Sequence, residues 1–283
     1  MNELALRVQD HPQDMADLQR AVALLEAPTL TARMANVVGA PLEFAVRKLP
    51  NAVSSRIQSV TEAALYKAAQ AALLTMDRTQ PGKRASPRLH KLAAAASGAV
   101  GGAGGLMTLA IELPLSTTII MRAVADIARS EGFDLNDFAT RQACLEVFAL
   151  GGNSGKDDAS ETGYYMTRGF TTELMRHFSA ELAGSAVKGH GLGLGIGPKE
   201  AGKWLAKIVE KVAARFGVVV SEKFAAQAVP VIGAVAGATL NTMFVSYYQD
   251  MARGHFIVRR LEKTYGFEPV RLAYQSLAGH MQG

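Results

Sequence analysis

"LAAAASGAVGGAGGLMTLAIELP" runs from Leu92 to Pro114 with no charge until Glu112. Three readings compete for it: a membrane span, a glycine loop that cradles phosphate, or the interior of a helical protein. A spanning helix needs about 20 mainly apolar residues, and Ala93 to Ile111 has that length. Its strongly apolar members are only Val100, Leu106, Met107, Leu109 and Ile111. At about 0.3–0.6 kcal/mol for each Leu, Ile, Phe or Val, they supply only a few kcal/mol of insertion drive. The glycines at 98, 101, 102, 104 and 105 each cost about 1 kcal/mol relative to alanine in a helix. The stretch is marginal as a span. The expectation is a packing segment inside a soluble or surface-bound bundle, with reversible insertion and permanent spanning as the alternatives.

A second apolar stretch, "FAAQAVPVIGAVAGATLNTMFVSYYQ" (Phe224 to Gln249), is interrupted by Pro230 and Asn241. Both stretches carry a GAV-small-GA pattern, at residues 98–103 and 233–238. Gly98 and Gly102, like Gly233 and Gly237, lie four apart and so share a helical face. Small faces let helix backbones approach closely, in water or in lipid. The two stretches are therefore expected to form a central small-residue pair wrapped by other helices. The nearby charges Glu112, Arg122, Asp126, Asp250 and Arg253 favour that arrangement over a bilayer, where each would cost about 2.5–3.5 kcal/mol.

The bulk numbers agree with a large helical core. Of 283 residues, 49% are hydrophobic and 19% charged, and the net charge is +5. The mild basicity suits an anionic membrane surface, but no dense Lys/Arg stripe, zinc finger or RRM signature points to nucleic acid. Cys144 is the single cysteine, which excludes an intrachain disulfide and a cysteine cage. Glu3, Asp10, Asp14 and Asp17 stand where a signal peptide would be basic and then apolar, so export is not expected.

Periodicity predicts helices nearly throughout and no sheet, an all-α compact multi-helix bundle. Asp14 to Ala27 carries a stripe of Met15, Leu18, Val22 and Leu25 and is closed by Pro28. Met34–Leu49 and Ser54–Met76 follow, the latter capped by Asn51 or Ser54. "DRTQPGKRASPRLHK" (Asp77 to Lys91) reads as a flexible basic loop. Further helices are expected over Ser116–Ser130, stopped by Gly132, from Asn136 over Asp137–Leu150, over Tyr164–Val187, and from Pro198 to about Gly266. Residues 1–30 are read as an N-terminal amphipathic arm and 31–283 as one helical domain.

Catalytic signatures are weak. "GGNSGKDD" (Gly151 to Asp158) puts Leu150 where a phosphate loop needs its first glycine and Asp157 after Lys156, so it reads as a polar turn. "HGLGLGIGPKEAGK" offers alternate glycines before a helix start but follows no strand, which leaves a mobile loop with Leu192, Leu194 and Ile196 available to lipid. The six histidines form no metal-binding pair and no GxSxG elbow is present, so no metal or cofactor is expected. His255 reads as a satisfied helix residue and Cys144 as buried packing.

Three blocks carry a resemblance: the small-residue run leading to "IELPLSTTIIMRAVADIARSEGFD" (Ile111 to Asp134), "EVFALGG" with "DDASETGYYMTRG" (Glu146 to Gly152 and Asp157 to Gly169), and "VPVIGAVAGATLNTMFVSYYQDMARGHFIVRRLEKTYG" (Val229 to Gly266). On these, the chain from about Ala64 onward resembles the EcsC protein family, named for a gene beside bacterial ABC-transporter components. The resemblance implies a bacterial, intracellular protein associated with membrane and a partner related to ABC transporters. It carries over no catalytic residue.

Glu112, Asn241 and Asp250 are the polar residues set most deeply in apolar sequence, and a buried carboxylate or amide needs a partner. Arg122, Arg253 or Arg259 would supply it, with Tyr247 lining the same region. This set is either a network that fixes helix register or a polar pocket. The leading expectation is a non-enzymatic cytoplasmic protein, peripheral to the inner membrane, that docks on the membrane or on a membrane protein. Lys83, Arg84, Arg88 and Lys91 would each add about 1 kcal/mol of attraction to anionic lipid. A lipid- or small-molecule-binding bundle and a hydrolase using the buried polar set are the alternatives. No nucleic-acid partner is expected.

Overall fold

A computed structural model describes residues 8–38, 49–75, 106–150, 163–169, 198–227 and 233–282. After a 3-10 turn at Val8–Asp10 come α1 (Pro12–Leu25), α2 (Leu30–Val38), α3 (Asn51–Thr75), α4 (Leu106–Ser130) and α5 (Phe138–Ala149). A helical segment covers 163–169, and α6 (Pro198–Gln227), α7 (Gly233–Tyr265) and α8 (Phe267–Gln282) complete the chain. The protein is an all-α bundle, with no strand among the described residues. The basic loop, the glycines at 98–105 and the Leu192–Ile196 run lie outside the described residues.

Several boundaries differ from the sequence expectation, each for a local reason. Pro12 opens α1, two residues before Asp14, because proline suits the first helical position. The helix expected from Met34 begins at Leu30, where Thr29 Oγ1 accepts from the Ala32 amide at 3.3 Å; its expected end falls outside the described residues. The first turn of α3 hangs on the Pro50 carbonyl, which accepts from Val53 and Ser54, so neither Asn51 nor Ser54 caps it. Asp137, one residue after Asn136, caps α5 by accepting from the Ala139 amide at 3.2 Å.

The largest difference is α4. The helix expected from Ser116 begins by Leu106 and passes straight through Pro114. A proline at that position removes one intrahelical donor at a cost of about 3 kcal/mol. Packing of α4 against both α3 and α7 outweighs that cost. Gly132 then ends the helix as expected, with φ +88°. Phe133 N–H reaches the Ala128 carbonyl and Gly132 N–H the Arg129 carbonyl, each at 3.1 Å, the paired bonds of a left-handed helix stop.

In the stretch from Phe224 to Gln249 the described residues belong to α6, up to Gln227, and to α7, from Gly233. Pro230 lies outside the described residues, whereas Asn241 interrupts nothing. The expected glycine contact falls on residues 98–103, outside the description, but α4 and α7 do pack together. Beyond Gly266, where the helical expectation stopped, α8 was missed.

Two cores result. The larger joins α2 to α7 around Met34, Leu65, Met121, Phe148, Phe216 and Phe244. The smaller holds α1, the 163–169 segment and α8 against the far end of α7, around Leu18, Tyr164, Val258 and Tyr274. At 33 residues, α7 is about 50 Å long and threads both. Helix α1 approaches it at Gly254, where an added Cβ would lie 2.6 Å from Leu25 Cγ.

Candidate functional site

Two polar clusters are built into these cores, both spanning α7. In the first, Glu112 of α4, Lys223 of α6 and Asn241 of α7 meet inside the larger core, with Asn241 fully buried and Lys223 only 4% exposed. Lys223 Nζ donates to Glu112 Oε1 at 2.8 Å and also to Asn241 Oδ1, and it lies 5.1 Å from the centre of the Phe244 ring. Burial pulls the ammonium below its ordinary range, and the Glu112 charge and hydrogen bond oppose that pull. The predicted burial of Glu112 and Asn241 is met, but through a lysine the sequence reading assigned no role.

The other expected members are elsewhere. Asp250 lies nine residues along α7 from Asn241, half a turn round and at the half-buried surface, where Arg253 approaches it at 3.6 Å and Arg33 at 4.0 Å. Arg122 is exposed. Tyr247 is buried under Arg33, 5.2 Å from the ring centre, and its phenol is pushed up to about 12 by burial. The structure thus separates Glu112 and Asn241 from Asp250, and Arg253 and Arg259 pair with Asp250 and Glu146 instead.

Arg259 belongs to the second cluster. Its guanidinium donates to Glu146 Oε2 of α5 at 3.0 Å, while Gln142 Nε2, one turn earlier, donates to Glu146 Oε1 at 2.7 Å. The fully buried His255 sits one turn before Arg259 on α7. Its Nδ1 is 3.0 Å from the Tyr164 hydroxyl, and its Nε2 faces the same Glu146 Oε2 at 3.6 Å, beyond hydrogen-bond reach. Nε2 has no hydrogen-bond partner among the described residues. Burial, then the positive charges of Arg259 and Arg168, hold the imidazole well below its ordinary pKa, so it is neutral. With Glu146 opposite Nε2, the favoured tautomer carries its proton there and accepts from Tyr164 at Nδ1.

Arg168 and Glu262 extend this cluster. Arg168 donates to Glu262 Oε1 at 2.5 Å and lies 5.6–5.7 Å from the ring centres of Tyr164, Tyr165 and Phe267. Tyr165 donates to the same carboxylate oxygen at 3.3 Å. In front of them opens a cleft of about 230 Å³ lined by Phe133, Asp137, Ala139, Thr140, Arg259, Glu262 and Lys263. Of this set the sequence singles out Arg259 and His255, the latter read as a satisfied helix residue, whereas its Nε2 is without a hydrogen-bond partner among the described residues. The missed signal was Glu146 in "CLEVFAL", a carboxylate as deep in apolar sequence as Glu112.

Cys144 is buried as expected, and burial pushes its thiol up to about 12. Among the described residues no three His, Cys, Asp or Glu side chains gather as metal ligands. No described helix is long and apolar enough to cross a membrane.

Helices that meet around paired, buried ionisable groups, with a cleft over one of them, define an all-helical bundle with an internal polar framework. More particularly, the chain belongs to the EcsC protein family, whose model matches residues 5–261. Neither the curated proteins nor the solved structures compared with it gave a match.

Proposed function

We propose that the protein docks peripherally on an anionic membrane surface, or on a membrane protein there, and does not insert its apolar helices. The buried Glu112–Lys223 ion pair carries this reading. It ties α4, which follows the glycine-rich stretch in sequence, to α6 in the protein interior. Insertion would move Glu112 or Lys223 toward lipid at about 2.5–3.5 kcal/mol each and leave the other unpaired. The segment 77–91, with Lys83, Arg84, Arg88 and Lys91, supports attraction at the surface, and Leu192, Leu194 and Ile196 supply apolar contact. A hydrolase at Glu112, Asn241 and Asp250 is disfavoured, because the first two are closed on Lys223 and the third is remote from them.

Flotation of the full chain with anionic and with neutral liposomes, at low and high salt, tests this. The expected outcome is flotation with anionic vesicles alone, lost at high salt and lost when Lys83, Arg84, Arg88 and Lys91 are changed to glutamine. Salt-resistant flotation would establish insertion instead, and indifference to every vesicle would end the proposal.

A further inference from the structure

The cleft between α5 and α7 is independent of any membrane contact, and its lining has a definite charge logic. Two of its four charged side chains are acidic. Asp137 caps the start of α5 by accepting from the Ala139 amide, and Glu262 is paired with Arg168 and also accepts from Tyr165. The two cations differ. Lys263 is exposed and extends its ammonium over the Phe133 ring, 5.2 Å from its centre. Arg259 reaches back to Glu146, but it also lines the cleft.

Behind Arg259, Glu146 has a second proton source in waiting, the unpartnered Nε2–H of His255 at 3.6 Å. We propose that the cleft binds a phosphate-type oxyanion between Arg259 and Lys263, and that Arg259 engages it by releasing Glu146 to His255, which takes up a proton. The ligand competes with Glu146 for one guanidinium, and the imidazolium replaces that guanidinium beside the carboxylate. The charged and titratable groups around the imidazole are Glu146 and Cys144 from α5, Tyr164 and Arg168 from 163–169, Arg259 from α7, and Tyr274 of α8 stacked behind Tyr164. Burial is the first cause that keeps the ring neutral, and withdrawal of Arg259 removes one of the two positive charges that add to it. Proton uptake on binding makes affinity rise as pH falls.

Sulfate does not titrate in this range and is the probe, measured by calorimetry on the full chain between about pH 5.5 and 7.5. Sulfate is expected to bind more tightly at the lower pH, and Lys263→Gln, an exposed change, to weaken it about tenfold. Glu146→Gln no longer holds Arg259, so it is expected to bind sulfate several-fold more tightly with a flat pH profile, an outcome that a purely structural Glu146 would not give. No heat with sulfate, an unaffected Lys263→Gln, or a weakened Glu146→Gln would each overturn the proposal. Displacement of sulfate by glycerol phosphate but not by phosphatidylglycerol vesicles identifies a soluble phosphate ester as the ligand. Displacement by the vesicles identifies a lipid phosphate, and displacement by neither overturns the phosphate assignment.

Discussion

The two buried clusters use similar groups to opposite ends. Among the described residues Glu112, Lys223 and Asn241 meet on one ammonium that serves two acceptors, and Phe244 covers it. Glu146 and His255 are as deeply buried, but their set is over-supplied with donors. Glu146 has Gln142 and Arg259 bonded to it and the His255 Nε2–H in reserve, and Arg259 lies at a cleft. A cluster without a spare partner fixes helix register and can do little else. A cluster with one can exchange partners, and that is the physical difference between a framework and a site.

Removal of the buried ammonium that both acceptors share should therefore have the largest effect. Lys223→Met strands a buried carboxylate and an amide oxygen, and the expected loss is about 3–5 kcal/mol in chemical denaturation. Combination with Glu112→Leu and Asn241→Leu should recover most of it, because apolar residues of similar volume replace such clusters at little net cost. A loss under 1 kcal/mol for Lys223→Met would mean the cluster is not closed.

The legibility of these clusters from sequence follows from the same physics. Glu112 and Asn241 stood out because each breaks an apolar run, and burial of a polar group in a run is a local property. The partner is not local. Lys223 lies 111 residues from Glu112 on another helix, and the adjacent Glu222 made it look like part of an ordinary charged face. Asp250 broke a run in the same way as Asn241, but nine residues of helix turned it to the opposite side. The all-α class and the Gly132 stop were readable for the converse reason, since periodicity and a positive φ are decided within one turn. The passage of α4 through Pro114 is not readable locally, because the cost of the proline is overridden by packing that only the assembled bundle supplies.

Acid stability separates the clusters next. His255 is held neutral well below its unfolded pKa of about 6.5. Below that pH the unfolded chain binds a proton that the folded chain refuses. Stability should thus be full above about pH 6.5 and fall as the pH drops, with a slope of at most about 1.4 kcal/mol per unit from this one group. Other carboxylates titrate lower down, so the decisive quantity is the difference between the wild type and His255→Gln from pH 5 to 7. The variant should lack the slope, and parallel profiles would show that His255 accepts protons freely in the folded state.

The smallest effect expected is the one that distinguishes a spare partner from an essential one. Arg259 is bonded to a buried carboxylate, as Lys223 is, and by that criterion alone its loss would be as severe. Its side chain, however, is 22% exposed against 5% for Lys223, and Glu146 retains Gln142 and gains the His255 Nε2–H when Arg259 is gone. Arg259→Gln should therefore cost only about 1 kcal/mol in denaturation at neutral pH, in the range of a partly exposed ion pair. It should also move the acid profile. Burial is the main cause that depresses the imidazole and the Arg259 charge adds to it, so removal of Arg259 moves the folded-state pKa part of the way back, and the loss of stability below about pH 6.5 should be shallower than in the wild type. A cost near that of Lys223→Met, with an unchanged acid slope, would make the second cluster as closed as the first and leave the cleft without its moving part.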